Sequence, residues 1–172
     1  MGIISSSDTC AHAFAKLQLP NTRRDFKERG AVIYKYSVKF NNTNRYVDRY
    51  IYTKVDVGGH SNVVWSFIKQ RYLIAAPKFT SSFKKRNRIK DIKYKARYAF
   101  VHTHPYCNGH DGNNFSPQDK SLVTRYGMTA CYVGTTEGKL LKCNKNKNGK
   151  ALITRTVYRN FPKATLRYIC TK

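Results

Sequence analysis

The sequence predicts an α/β fold of the α+β kind, with a mixed β-sheet flanked by helices. Apolar periodicity predicts a helix near the start, and alternating runs on either side of a second helix predict two hairpins and further strands. The chain has 172 residues, of which 41% are hydrophobic, and this suits one domain with a buried core. We therefore expect residues 1–172 to form a single domain.

The first third of the chain is expected to form a helix followed by a hairpin. Ser7 and Asp8 stand where a helix cap is favoured, and Pro20 cannot donate the N–H that would continue the helix. Alternating Val and Tyr residues after Gly30, followed by four polar residues, predict two paired strands. The expected elements are a helix over 9–17, a helical turn over 22–28, a strand over 31–40 and its partner over 46–57.

The segment from about 58 to 93 is expected to be a basic, variable insert. A helix capped by Ser61 is expected over 61–75, although its β-branched residues leave a strand open. Residues 77–91 are rich in basic, Ser and Asn side chains, so we expect them to form a surface loop.

The rest of the chain is expected to alternate strands with one helix. Ser116, Pro117 and Asp119 occupy positions that favour Ser at the N-cap, Pro at N1 and an acid at N3. The expected elements are a strand over 94–101, that helix ending near 126–127, a strand over 128–133, a turn over 134–138, a return strand over 139–143, a strand over 151–158 and a short strand over 164–169.

Three good ligands for a divalent metal lie close together in this second half. His102 and His104 are two residues apart, so on a strand both imidazoles point to the same face. A helix that begins at Ser116 and points back at the strand end would bring Asp119 to them. Two His and one Asp leave a fourth tetrahedral position for water, which is typical of a catalytic zinc site. Such a histidine pair alone is often just two exposed side chains, so the site depends on the third ligand.

A longer motif contains these residues: HTHP, a polar loop, then FSPQD. It resembles the motif of the JAMM (also called MPN or JAB) zinc metalloproteases. The resemblance implies a JAMM-like sheet fold and Zn²⁺ held by His102, His104 and Asp119. It also implies that Ser116 assists at the carbonyl oxygen of the substrate.

The JAMM motif further requires a glutamate well upstream as the general base. The sequence has only two glutamates. Glu28 lies just before an expected strand, where the family places this residue, whereas Glu137 follows the motif. The resemblance therefore implies that Glu28 takes a proton from the attacking water and passes it to the leaving amine. The implied substrate is an amide, either in a peptide or in an isopeptide of a ubiquitin-like conjugate.

The loop within the motif departs from the deubiquitinating members of the family. Eleven residues separate His104 from Ser116, which is more than is typical of the eukaryotic deubiquitinating enzymes, so ubiquitin specificity stays open. His110 and Asp111 are expected to be polar loop groups or substrate contacts. Cys107 is expected to be a bystander, with contact to a metal as the alternative.

The opening stretch of the chain resembles one particular subfamily of the JAMM family. An Ala-Phe-Ala helix, an Arg-rich turn and a Glu-x-Gly-x-x-Ile-Tyr string resemble a bacterial JAB-like subfamily. Its members often occur as C-terminal toxin domains of polymorphic or rearrangement-hotspot-repeat proteins. The resemblance implies a secreted or translocated effector that acts in the cytoplasm of a target cell, with a carrier or translocation component as a partner.

Cysteine usage and hydropathy favour a reducing compartment and disfavour a membrane span. Five cysteines are widely spread and form no CxxC pair, which argues against a disulfide framework or a cysteine zinc site. No apolar run approaches the roughly 18 residues needed to cross a bilayer. The first ten residues lack the charged and apolar regions of a signal peptide.

The charge of the chain keeps a second class of function open. There are 33 Lys and Arg against 9 acids, a net charge of +24, which is typical of proteins with a polyanionic partner. Residues 84–90 suit a nuclear-localisation or phosphate-binding patch, but basic residues run through the whole chain, so passage through a channel would also explain them. The alternative to an amide hydrolase is a nucleic-acid-binding domain or a metal-dependent nuclease on a JAMM-like fold.

Overall fold

A mixed β-sheet with helices on both faces forms the core of the fold. The computed structural model describes residues 3–58, 76–105, 112–149 and 152–161. Within these ranges the elements are α1 (Ser7–Asp25), β1 (Arg29–Phe40), β2 (Tyr46–Tyr52), β3 (Asp56–Val57), α2 (Ser81–Arg86), β4 (Ile89–Thr103), α3 (Pro117–Thr124), β5 (Ala130–Gly134), β6 (Leu140–Lys145) and β7 (Leu152–Tyr158).

The strand order brings the ends of two parallel strands to one edge of the sheet. In the described ranges the order is β2-β1-β4-β5-β6-β7, and β3 lies beside β1. β4 and β5 are parallel, with α3 in the connection between them, whereas the other pairs are antiparallel. Thr103 lies opposite Gly134, so both strands end together. Side chains and loops at these two ends can therefore meet to form a site.

The predicted fold class is confirmed: the chain forms one α+β domain with a mixed sheet and flanking helices. Both hairpins and the strand that carries the two histidines lie where the sequence predicted them. The boundaries differ by a few residues. β1 begins at Arg29, two residues early, and α3 ends at Thr124, shortly before Gly127 turns the chain with a φ of 71°.

The first helix is longer than expected, and the prediction that Pro20 ends it is wrong. The helix begins after Ser6, whose side chain accepts a backbone N–H of the first turn, and it continues past Pro20. An internal Pro costs roughly 3 kcal/mol because it removes a helix hydrogen bond. Leu19 and Thr22, on either side of Pro20, are buried against the sheet, and this packing keeps the helix continuous. The expected turn over 22–28 is partly the last turn of α1.

Part of the expected basic insert belongs to the sheet. The insert therefore ends before its predicted end near residue 93. Residues 81–86 form α2 rather than a loop, and the Thr80 side chain caps it by accepting a first-turn N–H at 3.2 Å. β4 begins as early as Ile89, because Ile89 and Ile92 pack against the apolar layer of the sheet. Residues 89–93 therefore belong to the sheet.

The expected partner strand over 46–57 is interrupted. It consists of β2 and β3, which are separated at Thr53. The Thr53 N–H donates to the Val32 carbonyl at 2.9 Å, and the Thr53 hydroxyl oxygen accepts from the Val32 N–H at 3.1 Å. The expected helix over 61–75 and the expected strand over 164–169 lie outside the described residues.

Two apolar layers enclose the sheet. α1 covers one face, where Phe14 and Leu19 are buried with strand residues such as Val101. α3 covers the other face, where Leu122 packs with Phe100 and its neighbours. The described helices include none that is long and apolar enough to cross a membrane.

Phe14→Ala is expected to lower the free energy of unfolding by about 3–5 kcal/mol, the usual cost of truncating a buried Phe. Phe14 is fully buried, and its ring meets Tyr52 edge-on with 5.5 Å between centroids. Leu17→Ala is the matched control, because Leu17 is 58% exposed on the same helix and should change stability by less than about 0.5 kcal/mol. Urea unfolding followed by circular dichroism measures both, and equal losses would contradict the packing of α1.

Candidate metal centre

The two motif histidines converge at the end of β4. His102 and His104 alternate correctly to point to one face, and their Nε2 atoms lie 3.0 Å apart. Both are buried, and the His104 N–H donates to the Gly134 carbonyl at 2.9 Å, which fixes the chain just beyond the last residue of β4. The predicted pairing of the two imidazoles is therefore present in the structure.

The start of α3 places the third candidate ligand, Asp119, beside the two histidines. Ser116 and Asp119 form a capping box: the Asp119 N–H donates to Ser116 Oγ at 3.2 Å, and the Ser116 N–H donates to Asp119 Oδ2 at 2.7 Å. Asp119 Oδ1 lies 3.1 Å from His102 Nε2, and Asp119 Oδ2 lies 3.5 Å from His104 Nε2. The capping box thus holds the carboxylate in place as well as starting the helix.

The three groups lie close enough together to hold one metal ion. The two Nε2 atoms are 3.0 Å apart; Asp119 Oδ1 lies 3.1 Å from His102 Nε2, and the other oxygen, Oδ2, lies 3.5 Å from His104 Nε2. Suitable ligand atoms of His102, His104 and Asp119 all lie within 4.8 Å of one another. Ligands on one tetrahedral ion are about 3.3–3.6 Å apart, so the closest pairs would separate slightly on binding. The residues present therefore fit a bound metal ion.

Asp119 is an ionised carboxylate inside this cluster. Burial by itself would raise the pKa of Asp119, but the neighbouring imidazoles outweigh it and hold the pKa of this carboxyl well below its usual range. A buried carboxylate needs a positive partner. An imidazolium, or a metal ion held by the same three groups, would supply that charge.

His102 turns Nε2 to the cluster, while its Nδ1 atom is buried without a hydrogen-bond partner in the described structure. A histidine that ligates a metal through one nitrogen normally donates the N–H of the other to a further partner. Nδ1 is therefore left unsatisfied by the described residues, at a usual cost of about 1–3 kcal/mol.

Glu28 stands beside the three ligands rather than among them. It lies in the turn between α1 and β1, is 6% exposed, and places Oε1 3.9 Å from His104 Nε2. The Glu28 carbonyl accepts the Gly58 N–H at 3.0 Å, which holds the turn against the end of the next hairpin. The structure thus brings the predicted base to the predicted ligands.

An ion pair that the motif comparison did not single out holds this turn. Arg29 pairs with Asp25 through both guanidinium nitrogens, one of them at 2.8 Å, and also donates to the Lys27 carbonyl at 3.1 Å. Phe26, the first of the three residues between them, has a φ of 56° and ends α1 in the left-handed region. The i, i+4 spacing of Asp and Arg was the available signal, and it indicates how the backbone around Glu28 is closed.

Ser116 is half-buried at the N-cap, and its two expected roles are compatible. Its oxygen accepts the Asp119 N–H through a lone pair, so its own O–H proton is left to donate elsewhere. A hydroxyl can cap a helix and donate to a carbonyl oxygen at the same time. The capping interaction therefore leaves the Ser116 hydroxyl proton available as a donor.

The remaining candidates are not part of the described centre. Cys107, His110 and Asp111 lie outside the described residues. Glu137 is paired with Lys139 in the turn after β5. Sequence reasoning missed the role of Asn113, whose side-chain oxygen accepts the Thr136 hydroxyl at 2.7 Å and the Glu137 N–H at 3.1 Å, tying the motif loop to that turn.

Comparison of the chain with models of protein families, with curated proteins and with solved structures finds no match. What is argued about the activity of this centre therefore depends on its residues and their geometry.

The purified protein is expected to hold one zinc per chain, and His104→Ala is expected to lose it, because two ligands cannot hold the metal tightly. His12→Ala is the control: His12 lies on α1 against Tyr158 and Phe161 and should keep full occupancy. Elemental analysis after dialysis measures both. A wild-type chain without zinc, whose metal-free form also takes up none, would contradict the site.

Acid is expected to weaken the turn that carries Glu28. The Arg29 guanidinium lowers the pKa of Asp25 from 3.8 to about 2, so the carboxylate is favoured in the folded state. The contribution of this pair is complete above about pH 4 and is lost as the pH falls through about 2. Because Asp25 is about one-third exposed, we expect at most about 1 kcal/mol.

Urea unfolding of the wild type and of Asp25→Asn between pH 2 and pH 6 measures this contribution. The stability difference between the two proteins should be constant at the upper end of the range and shrink toward pH 2. A difference that grows as the pH falls would show that the pair does not act in this way.

Proposed function

We propose that this chain is a zinc-dependent amide hydrolase of the JAMM type. The observation that carries the proposal is the position of Glu28: a buried carboxylate, 3.9 Å from His104, beside three groups spaced to hold one metal. A structural metal site has no need of a further carboxylate beside its ligands. A catalytic site does, because the attacking water must give up a proton.

In this mechanism each residue has a separate task. A bound Zn²⁺ would make water acidic enough to ionise near neutral pH and would polarise the scissile carbonyl. Glu28 accepts the proton of the attacking water and gives it to the departing amine. His102, His104 and Asp119 supply ligand atoms and keep the centre dry and fixed.

The start of α3 contributes to charge stabilisation. As the carbonyl carbon becomes tetrahedral, negative charge develops on its oxygen. The Ser116 hydroxyl keeps a proton free for this oxygen, because its capping interaction uses only a lone pair. Removing one such donor typically costs about 10²–10³ in kcat.

The substrate class supported by this chemistry is a peptide or isopeptide. The expected role as a translocated effector, with a carrier component as partner, is part of the same proposal and stems from the resemblance of the opening stretch to toxin domains. Such an effector would act by cleaving a protein of the target cell.

The position of the basic segment disfavours phosphodiester hydrolysis at the same centre. Lys85, Lys90 and Lys95 are exposed on α2 and on the first part of β4. Lys90 is twelve residues from His102, which along an extended strand is about 40 Å. A nucleic acid bound to this basic segment would therefore lie far from the metal ligands. Nucleic-acid binding remains the alternative function of the basic surface, but the position of this surface does not favour nucleic-acid cleavage at the metal ligands.

Glu28→Gln is expected to keep the fold and the zinc yet lower hydrolysis by roughly 10²-fold or more, because the amide cannot take up a proton. Glu137→Gln is the matched control, since the only other glutamate is exposed and paired with Lys139, and it should retain activity. Cleavage of a peptide library, of polyubiquitin and of plasmid DNA and RNA by each zinc-loaded protein measures the effect.

Two results would contradict the proposal. Full amide hydrolysis by zinc-loaded Glu28→Gln would remove the general base from the mechanism. Cleavage of DNA or RNA that depends on His104, with no cleavage of any amide, would instead make the centre a nuclease.

A further inference from the structure

The threonine between the two histidines makes contacts of its own on the other face of the sheet. Thr103 is fully buried, and its hydroxyl oxygen lies 2.6 Å from that of Thr22 in the last turn of α1. The same Thr103 oxygen accepts the backbone N–H of Arg29, the first residue of β1, at 3.3 Å. The residue that separates the two candidate ligands is therefore hydrogen-bonded to the residue that directly follows Glu28.

The peptide unit between Glu28 and Arg29 is held from both sides. Its carbonyl, that of Glu28, accepts the Gly58 N–H at 3.0 Å, and its N–H, that of Arg29, donates to Thr103 Oγ1. The carbonyl and the N–H of a planar trans peptide unit point in opposite directions, so two such partners determine its tilt. The Cα atom of Glu28 lies in the same plane. The tilt of this unit therefore sets where the Glu28 side chain begins.

The partners of Thr103 are held in turn. Thr22 Oγ1 lies 3.5 Å from Arg29 Nη1, and the Arg29 guanidinium pairs with Asp25. α1, β1 and β4 thus meet at one polar group on the face of the sheet opposite to the imidazoles. Thr22 and Arg29 are both buried, and buried polar groups that are hydrogen-bonded to one another make the surrounding structure rigid.

We propose that Thr103 is a positioning residue whose hydroxyl holds Glu28 at a fixed distance from His102 and His104, and so from a metal bound between them. Thr103 is suited to this task because it is the register partner of Arg29. A general base has to lie within hydrogen-bond reach of the attacking water, and a misplacement of about 1 Å lowers the rate by as much as about 10²-fold. The inference rests on the proposed amide hydrolysis for its catalytic meaning, whereas the placement of Glu28 is measurable without a substrate.

Thr103→Val removes the hydroxyl and keeps the shape of the side chain. A methyl group cannot approach the Thr22 oxygen to 2.6 Å, because carbon and oxygen atoms in close C–H···O contact lie about 3.3–3.6 Å apart. The Arg29 N–H also loses this acceptor, so the end of β4 moves or the peptide unit after Glu28 tilts. Thr103→Ser keeps the hydroxyl and both contacts. Thr103→Ala loses the hydroxyl without a clash and carries the test if the valine variant does not fold.

Thr53→Val is the matched control. Thr53 is also buried, and its hydroxyl also accepts a backbone N–H of β1, that of Val32 at 3.1 Å. This substitution removes the same kind of hydrogen bond from the same strand and leaves the peptide unit after Glu28 untouched. A difference in hydrolysis between the two valine variants therefore reports the position of Glu28 rather than the loss of a buried hydrogen bond.

The first measurement is steady-state hydrolysis of a peptide that the zinc-loaded wild type cleaves. Thr103→Val is expected to lower kcat about tenfold or more and to change KM less than about threefold, because the substrate still binds while the base is misplaced. Thr103→Ser and Thr53→Val should keep kcat within about threefold of the wild type, and every variant should hold one zinc. Equal losses in the two valine variants, or a loss that Thr103→Ser shares, would overturn the inference.

Two measurements without substrate separate this inference from the proposed function. Hydrogen exchange of the Arg29 amide should be about tenfold faster or more in Thr103→Val and little changed in Thr103→Ser and Thr53→Val, because a buried N–H is protected by its hydrogen bond. In the cobalt-loaded protein, the paramagnetic shift of the Glu28 amide reports its position relative to the metal. This shift should change in Thr103→Val and stay constant in Thr53→Val.

The outcomes for the two proposals differ. Unchanged exchange and an unchanged paramagnetic shift in Thr103→Val overturn the inference, even if hydrolysis falls. If both change as expected and the wild type cleaves no amide, the proposed function fails, whereas the placement of Glu28 by Thr103 stands.

Discussion

The buried meeting of two imidazoles and one carboxylate is the interaction on which the site depends. His102, His104 and Asp119 converge within 3.0–3.5 Å of one another where almost no water reaches them. A buried carboxylate needs a positive partner, and the surrounding elements hold the group together: β4 aligns the imidazoles, and the capping box of α3 fixes the carboxylate. A metal ion held by these groups would be a positioned Lewis acid.

The same edge of the sheet gathers the groups that would act on a substrate. The parallel pair of β4 and β5 ends there, and the turn after α1 brings Glu28 to it under the hold of the Asp25–Arg29 pair. α1 therefore does more than cover one face of the sheet. α1 packs against the core and also leads into the turn that places Glu28 beside the metal ligands.

The sequence predicted the parts of this structure that depend on local patterns. Alternation located β1 and the end of β4, and Ser116, Pro117 and Asp119 marked the start of α3 within one residue. The sequence-based prediction failed at Pro20, because packing against residues far away in sequence outweighs a local helix breaker. The prediction also missed α2, which lies in a segment with little periodicity. The ligand set was predictable from spacing. The role of Asn113 was not, since it lies in contacts with a segment distant in sequence.

X-ray absorption at the zinc edge of the metal-loaded protein tests the central claim most directly, because it reports the ligand atoms of the metal itself. A centre built from His102, His104, Asp119 and water should show four nitrogen and oxygen neighbours at about 2.0–2.2 Å, with the multiple-scattering pattern of two imidazoles. Sulfur scattering at about 2.3 Å, or six oxygen neighbours without imidazole, would show that the metal is held elsewhere.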